Sequence, residues 1–168
     1  MMELAKRKAT RLRGDYYNSA GAFFLTICTK DRKPILSRVV GTGVLDGPFV
    51  ELLPYGAIAD KYMRQLNDFY EDISIENYVI MPNHIHLLLC VKENENGPSG
   101  TPVPTVQNSR VSQFLSTFKR FCNKECGENI WQYRSHDHII RNEQEYIGYM
   151  KYIDENPLNW LLDKLYME

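Results

Sequence analysis

The stretches from Ile73 to Ile80 and from His84 to Val91 are rich in β-branched and aliphatic side chains and are separated only by Met81-Pro82-Asn83. A proline-asparagine pair between two strand-like runs favours a tight reversal, so the runs are expected to pair antiparallel. Side chains two apart in a strand project to one face. His84 and His86 therefore share a face, while Ile85, Leu87 and Leu89 point the other way into a core.

The rest of the chain supplies partners for that hairpin. Ala22 to Thr29 (AFFLTICT) is bounded by Ser19-Ala20-Gly21 and Lys30-Asp31-Arg32 and reads as a buried strand. Arg38 to Leu53, broken by Gly41, Gly43 and Gly47, suggests a loop or irregular hairpin. Pro54 to Tyr70 places Ile58, Met63, Leu66 and Phe69 near helical spacing. Glu93 to Asn108 is polar, with Gly97, Gly100, Pro98, Pro102 and Pro104, and is expected to be a flexible surface loop.

From Ser109 or Arg110 to Cys126 an amphipathic helix is expected on Val111, Phe114, Leu115, Phe118 and Cys122, stopped by Gly127. Trp131 to Ile140 is read as a further strand. Glu143 to Glu155 reads as a helix striped by Tyr146, Met150 and Ile153 and ended by Pro157, and Leu158 to Leu165 as one more helix. Strands and helices mix without regular alternation, which points to an α+β fold, an antiparallel sheet with helices packed on it.

At 168 residues the expected organisation is one domain over 1–168, with a basic segment at about 1–13 and the flexible loop at about 93–108. No run reaches the roughly 18 apolar residues of a membrane helix, and the basic segment has no apolar centre, so a cytoplasmic protein with no membrane partner is expected. The cysteines Cys28, Cys90, Cys122 and Cys126 lack C-x-x-C spacing and read as free thiols.

The net charge of -1 gives no support for nucleic-acid binding. Its distribution is uneven, however. Lys6, Arg7, Lys8, Arg11 and Arg13 stand against one acid, Glu3, and Arg110, Lys119, Arg120 and Lys124 precede the first acid of their stretch, Glu125. These stretches, with Lys119 and Arg120 in the second, are candidates for phosphate contacts.

Two imidazoles projecting from one strand face can reach a single metal ion, although an isolated H-x-H more often holds structural histidines. The reversal at Pro82-Asn83 would place His84 and His86 at a strand end, where a site can open to solvent. His136 and His138 form a second H-x-H, but its flanks Ser135 and Asp137 are polar, and it is set aside as the main metal site.

The run Tyr78 to Leu89 (YVIMPNHIHLLL) resembles the signature strand of the single-tyrosine HUH transposases, especially the REP-associated tyrosine transposases. Phe23 to Thr29 (FFLTICT) followed by Asp31-Arg32, Ile130-Trp131-Gln132 with His138 to Asn142 (HIIRN), and Tyr152 to Pro157 (YIDENP) agree in order and spacing. The resemblance spans about Arg11 to Trp160. It implies a ferredoxin-like core, His84 and His86 as ligands of Mg²⁺ or Mn²⁺ on a central strand, and Tyr152 on a late helix as the nucleophile. The implied reaction cuts and rejoins single-stranded DNA beside a hairpin through a 5′-phosphotyrosine link, with a homodimer possible. Mutation of either histidine is expected to weaken the metal more than the fold.

Helical spacing alone does not choose among Tyr146, Tyr149 and Tyr152; the family position does. Asn156, four residues after Tyr152, can offer an amide oxygen as a third ligand or simply cap the helix. Imidazole suits later metals than magnesium, so manganese is expected to bind better in vitro. Lys151 is a candidate for lowering the phenol's pKa, and Tyr16, Tyr17 and Tyr133 for stacking on bases. The alternatives are a non-catalytic hairpin-binding protein and a metal-dependent hydrolase, the latter disfavoured because no D-x-D or carboxylate cluster accompanies the histidines.

Overall fold

A computed structural model of the chain describes residues 20–41, 47–92, 109–160 and 165–166. The basic segment with Lys6, Arg7, Lys8, Arg11 and Arg13, the tyrosines Tyr16 and Tyr17, the 93–108 loop and half of the expected last helix (161–164) lie outside the described residues.

The elements run in the order β1 (Gly21–Cys28), β2 (Ser37–Val40), β3 (Phe49–Leu52), α1 (Pro54–Phe69), β4 (Ile73–Ile80), β5 (His84–Val91), α2 (Arg110–Cys126), β6 (His136–Ile140) and α3 (Glu143–Glu155). The main sheet has the order β4-β5-β1-β6, and all three pairings are antiparallel. Without the small β2-β3 hairpin inserted before α1, this is the βαββαβ order of a ferredoxin-like sheet, as expected.

In β1, Phe23, Leu25 and Ile27 are buried and alternate with half-buried Phe24, Thr26 and Cys28, a strand with two different faces. The first face, continued by Ile85, Leu87 and Leu89 of β5, packs with Ala59, Met63 and Leu66 of α1 and Val111, Phe114, Leu115, Phe118 and Cys122 of α2. The second face lies beneath α3, which contacts β4 and β5. Strand β5 is therefore covered on both sides. This is why nearly all of HIHLLLCV is buried.

Local signals set the helix ends. Ser109 accepts the Ser112 N–H at the start of α2, and Gly127 closes it with φ 75°. Asn142 accepts the Glu145 N–H at the start of α3. In α1 a Cβ on Gly56 would lie 1.9 Å from the Leu36 carbonyl oxygen, so only glycine allows the helix to approach that backbone.

Two expectations change. The stretch from Trp131 is shorter as a strand: β6 begins at His136, and Trp131 makes only an isolated bridge to Thr29. The Lys119 ammonium donates to the carbonyls of Gln132 (2.8 Å) and Tyr133 (3.3 Å), which draws them away from a strand ladder. Nor does the His84-His86 pair open to solvent at its strand end. His84 is 0% and His86 3% exposed, because α3 and the turn leading to Trp160 close over this face.

Candidate active site

The Pro82-Asn83 reversal orients the first histidine. Asn83 is buried; its Nδ2 donates to the Leu165 carbonyl at 2.6 Å, and its Oδ1 lies 2.9 Å from His84 Nδ1. A carboxamide oxygen only accepts, so Nδ1 carries the ring proton and Nε2 keeps its lone pair. Burial, helped by the positive charge of Arg32, pushes the His84 pKa down to about 3, which keeps the ring neutral.

His86 faces Thr26 across the β1-β5 register, and Thr26 Oγ1 lies 3.0 Å from His86 Nδ1. Its Nε2 points to Tyr152, whose hydroxyl is 3.4 Å away. The two imidazole centroids are 4.4 Å apart. Each Nδ1 is thus engaged by a neighbouring oxygen; the Asn83 carboxamide oxygen fixes the tautomer of His84, and a Thr26 hydroxyl accepting from His86 Nδ1 would likewise leave Nε2 free for a metal.

Helix α3 presents its three tyrosines differently. Tyr146 reaches Glu76 at 3.4 Å, and Tyr149 stacks on Phe24 at 4.3 Å between centroids. Tyr152, 41% exposed, is the one whose hydroxyl meets His86, and it rests edge-on against Phe24. Phe24 also stacks on His86, so one ring braces both partners.

One turn beyond Tyr152, Asn156 is 1% exposed and its Oδ1 has no hydrogen-bond partner. Helix closure there uses the Asn156 backbone N–H, which donates to the Ile153 carbonyl at 3.3 Å. Its side-chain oxygen does not cap the helix. A cleft of about 890 Å³ is lined by His86, Tyr152, Asn156, Thr26, Phe24, Arg32, Gln132 and His136, among others.

Two proteins with assigned names match most of this chain. A REP-associated tyrosine transposase of Escherichia coli K12 is 26% identical over 85% of this chain and 70% of its own length. A putative REP-associated tyrosine transposase of Haemophilus influenzae is 29% identical over 84% of this chain and 73% of its own length. Over most of its length the chain is thus similar in sequence to the REP-associated tyrosine transposases. A solved REP-associated tyrosine transposase, bound to a REP hairpin, shares the fold at 21% identity with a TM-score of 0.61, covering 89% of this chain and 73% of that one. No family profile matches.

Against that family pattern, the donor set suits a divalent ion. His86 and Asn156, whose buried amide oxygen has no hydrogen-bond partner, line one cleft, and the neutral His84 ring lies beside His86. Among the described residues no group of three or more His, Cys, Asp or Glu could hold a metal, so the set brings no negative charge of its own.

The other candidates are dispersed. Lys119 is engaged with the Gln132 and Tyr133 carbonyls, Arg120 lies over the Phe121 ring at 5.2 Å, and neither lines the cleft. Lys151 reaches Glu155 at 3.6 Å and is also absent from the lining. His136 lines the cleft, whereas His138 lies 3.3 Å from Glu145, so this second pair divides between two tasks. Tyr133 is 97% exposed beside the cleft residue Gln132.

The sequence reading missed Thr26, Asn83, Phe24 and Arg32 as parts of the site. Thr26 did carry a signal, as a polar residue inside the otherwise apolar AFFLTIC strand. Phe24 carried none, since an aromatic in a strand is ordinary core material.

Proposed function

We propose that this chain is a transposase that nicks and joins single-stranded DNA, with Tyr152 as the nucleophile. The observation that carries the reading is the Tyr152 hydroxyl held 3.4 Å from His86 Nε2, in a cleft where Asn156 Oδ1 is buried without a hydrogen-bond partner. His84 and His86 would hold Mg²⁺ or Mn²⁺ through Nε2, with Asn156 Oδ1 as the third donor. When bound, such an ion polarises the scissile phosphate and neutralises charge that develops on it.

Asn83 and Thr26 hold the imidazoles in their tautomers, and Phe24 fixes the phenol beside them. The Tyr152 oxygen attacks phosphorus: an O–P bond forms, the bond from phosphorus to the 3′ oxygen breaks, and the 3′ oxygen takes up a proton as the phenol loses one. The products are a 5′-phosphotyrosine and a free 3′-hydroxyl. Attack by another strand's 3′-hydroxyl reverses these changes and joins the DNA, so the bond energy is conserved and no nucleotide cofactor is required.

The hairpin substrate class is carried over from the solved relative, which is bound to one. A hydrolase would need a general base for water. Glu145, the carboxylate in the cleft lining, already accepts the Arg141 N–H at 2.9 Å and sits 3.3 Å from His138.

The test presents purified protein with Mn²⁺ and hairpin-bearing single-stranded DNA or the corresponding duplex. Cutting of the hairpin form, with a covalent adduct on a denaturing gel and no product in chelator, is expected. Preference for the duplex or full activity in chelator removes the reading.

A further inference from the structure

The turn of 3₁₀ helix at Lys30–Arg32, between β1 and β2, has a backbone its sequence does not favour. Asp31 (φ 57°, ψ 19°) and Arg32 (φ 54°) are consecutive non-glycine residues in the left-handed region. A β-carbon is disfavoured there, and such outliers persist only where their surroundings enforce them. Here they do. Lys30 N–H donates to the Ile130 carbonyl at 2.8 Å and Thr29 Oγ1 to the Lys33 carbonyl at 2.8 Å. Thr29 N–H and Leu36 N–H donate to the carbonyls of Asn83 (2.9 Å) and Pro82 (3.0 Å), the reversal that orients His84.

This turn delivers Arg32 into the cleft with His86 and Tyr152, where among the described residues it is the only lysine or arginine in the lining. Among the described residues its guanidinium makes no ion pair. An arginine serving only solubility requires neither the left-handed backbone nor this position. Attack brings a phosphodiester and a phenolate oxygen, both negative, together in this cleft. A guanidinium fixed beside them would share with the divalent ion in offsetting their repulsion.

We propose that Arg32 binds the scissile phosphate, its planar fork taking two phosphate oxygens and stabilising the charge that grows on them as Tyr152 attacks. The assignment rests on the tyrosine reading above. Arginine is suited to this because it stays charged and offers paired donors, which lysine does not.

The test measures two independent quantities on a single-stranded DNA hairpin with randomised tails: the salt dependence of binding by fluorescence anisotropy without metal, and the cleavage rate with Mn²⁺. One lost phosphate contact should flatten the slope of log affinity against log salt by about 0.7 in Arg32→Ala. Cleavage should fall about 100-fold, with Arg32→Lys in between. Arg32→Gly, which suits the left-handed backbone, should melt no lower than wild type yet cleave as poorly as Arg32→Ala.

Wild-type slope in Arg32→Ala overturns the proposal, whether or not the rate has changed, because a rate effect alone would be positional. If wild type binds but forms no adduct, the tyrosine reading fails, and the slope still decides whether Arg32 meets a phosphate. If wild type does not bind the hairpin, both fail.

Discussion

Thr26→Val tests whether β1 tunes the chemistry of β5. Valine keeps the β-branched shape and place in the strand but removes the oxygen 3.0 Å from His86 Nδ1. Because His86 is 3% exposed, water does not readily replace that partner. A buried N–H left without an acceptor costs about 1–3 kcal/mol. The neutral ring escapes part of this cost by moving its proton to Nε2, the atom that faces Tyr152 and is needed as the metal donor. Since about 1.4 kcal/mol is a factor of ten, metal affinity should fall about 10- to 100-fold, the range for losing an oriented outer partner.

The melting temperature should fall only about 2–4 °C for each kcal/mol in a chain of this size. The assay is hairpin cleavage against Mn²⁺ concentration. Thr26→Val should be slow at limiting metal and approach the wild-type rate at saturation. A wild-type rate at limiting Mn²⁺, or a deficit that saturation leaves untouched, refutes the idea that Thr26 acts by holding the His86 tautomer.

In adduct trapping on a denaturing gel, Tyr152→Phe should abolish the covalent product, whereas Tyr146→Phe and Tyr149→Phe should retain it; loss in either of those with survival in Tyr152→Phe would move the nucleophile. His84→Ala should abolish cleavage and, because the ring is fully buried, also destabilise the fold by about 2 kcal/mol, seen as a melting shift of about 4–8 °C. Gly56→Ala should destabilise despite alanine's gain of about 1 kcal/mol in helix propensity, since the new carbon would meet the Leu36 backbone, itself held by the Leu53 and Pro82 hydrogen bonds; a higher melting temperature would contradict the contact. Burial, with a 2.6 Å hydrogen bond to Asp60, raises the Tyr78 pKa to about 12. Its stabilising contribution is therefore complete below about pH 10 and lost as pH rises through about 12, so Tyr78→Phe should flatten that alkaline decline in urea unfolding midpoints.

The elements were legible because their signals are local. Alternation and the Pro82-Asn83 reversal located β4 and β5, while Ser109, Gly127 and Pro157 bounded helices, each through conformational preferences that act within a few residues. The shared face of His84 and His86 was legible too, since it follows from the two-residue period of a strand. Tertiary structure alone decided what surrounds that face. Thr26 is 60 residues from His86 and Tyr152 is 66 residues from it, and their meeting depends on the β1-β5 register and on α3 crossing that side of the sheet. The same packing buried a pair expected to be open, and the Lys119 hydrogen bonds shortened a strand that side-chain pattern had extended to Trp131. Register and helix placement are set by how the whole core excludes water, a sum over distant side chains that no short window of sequence contains.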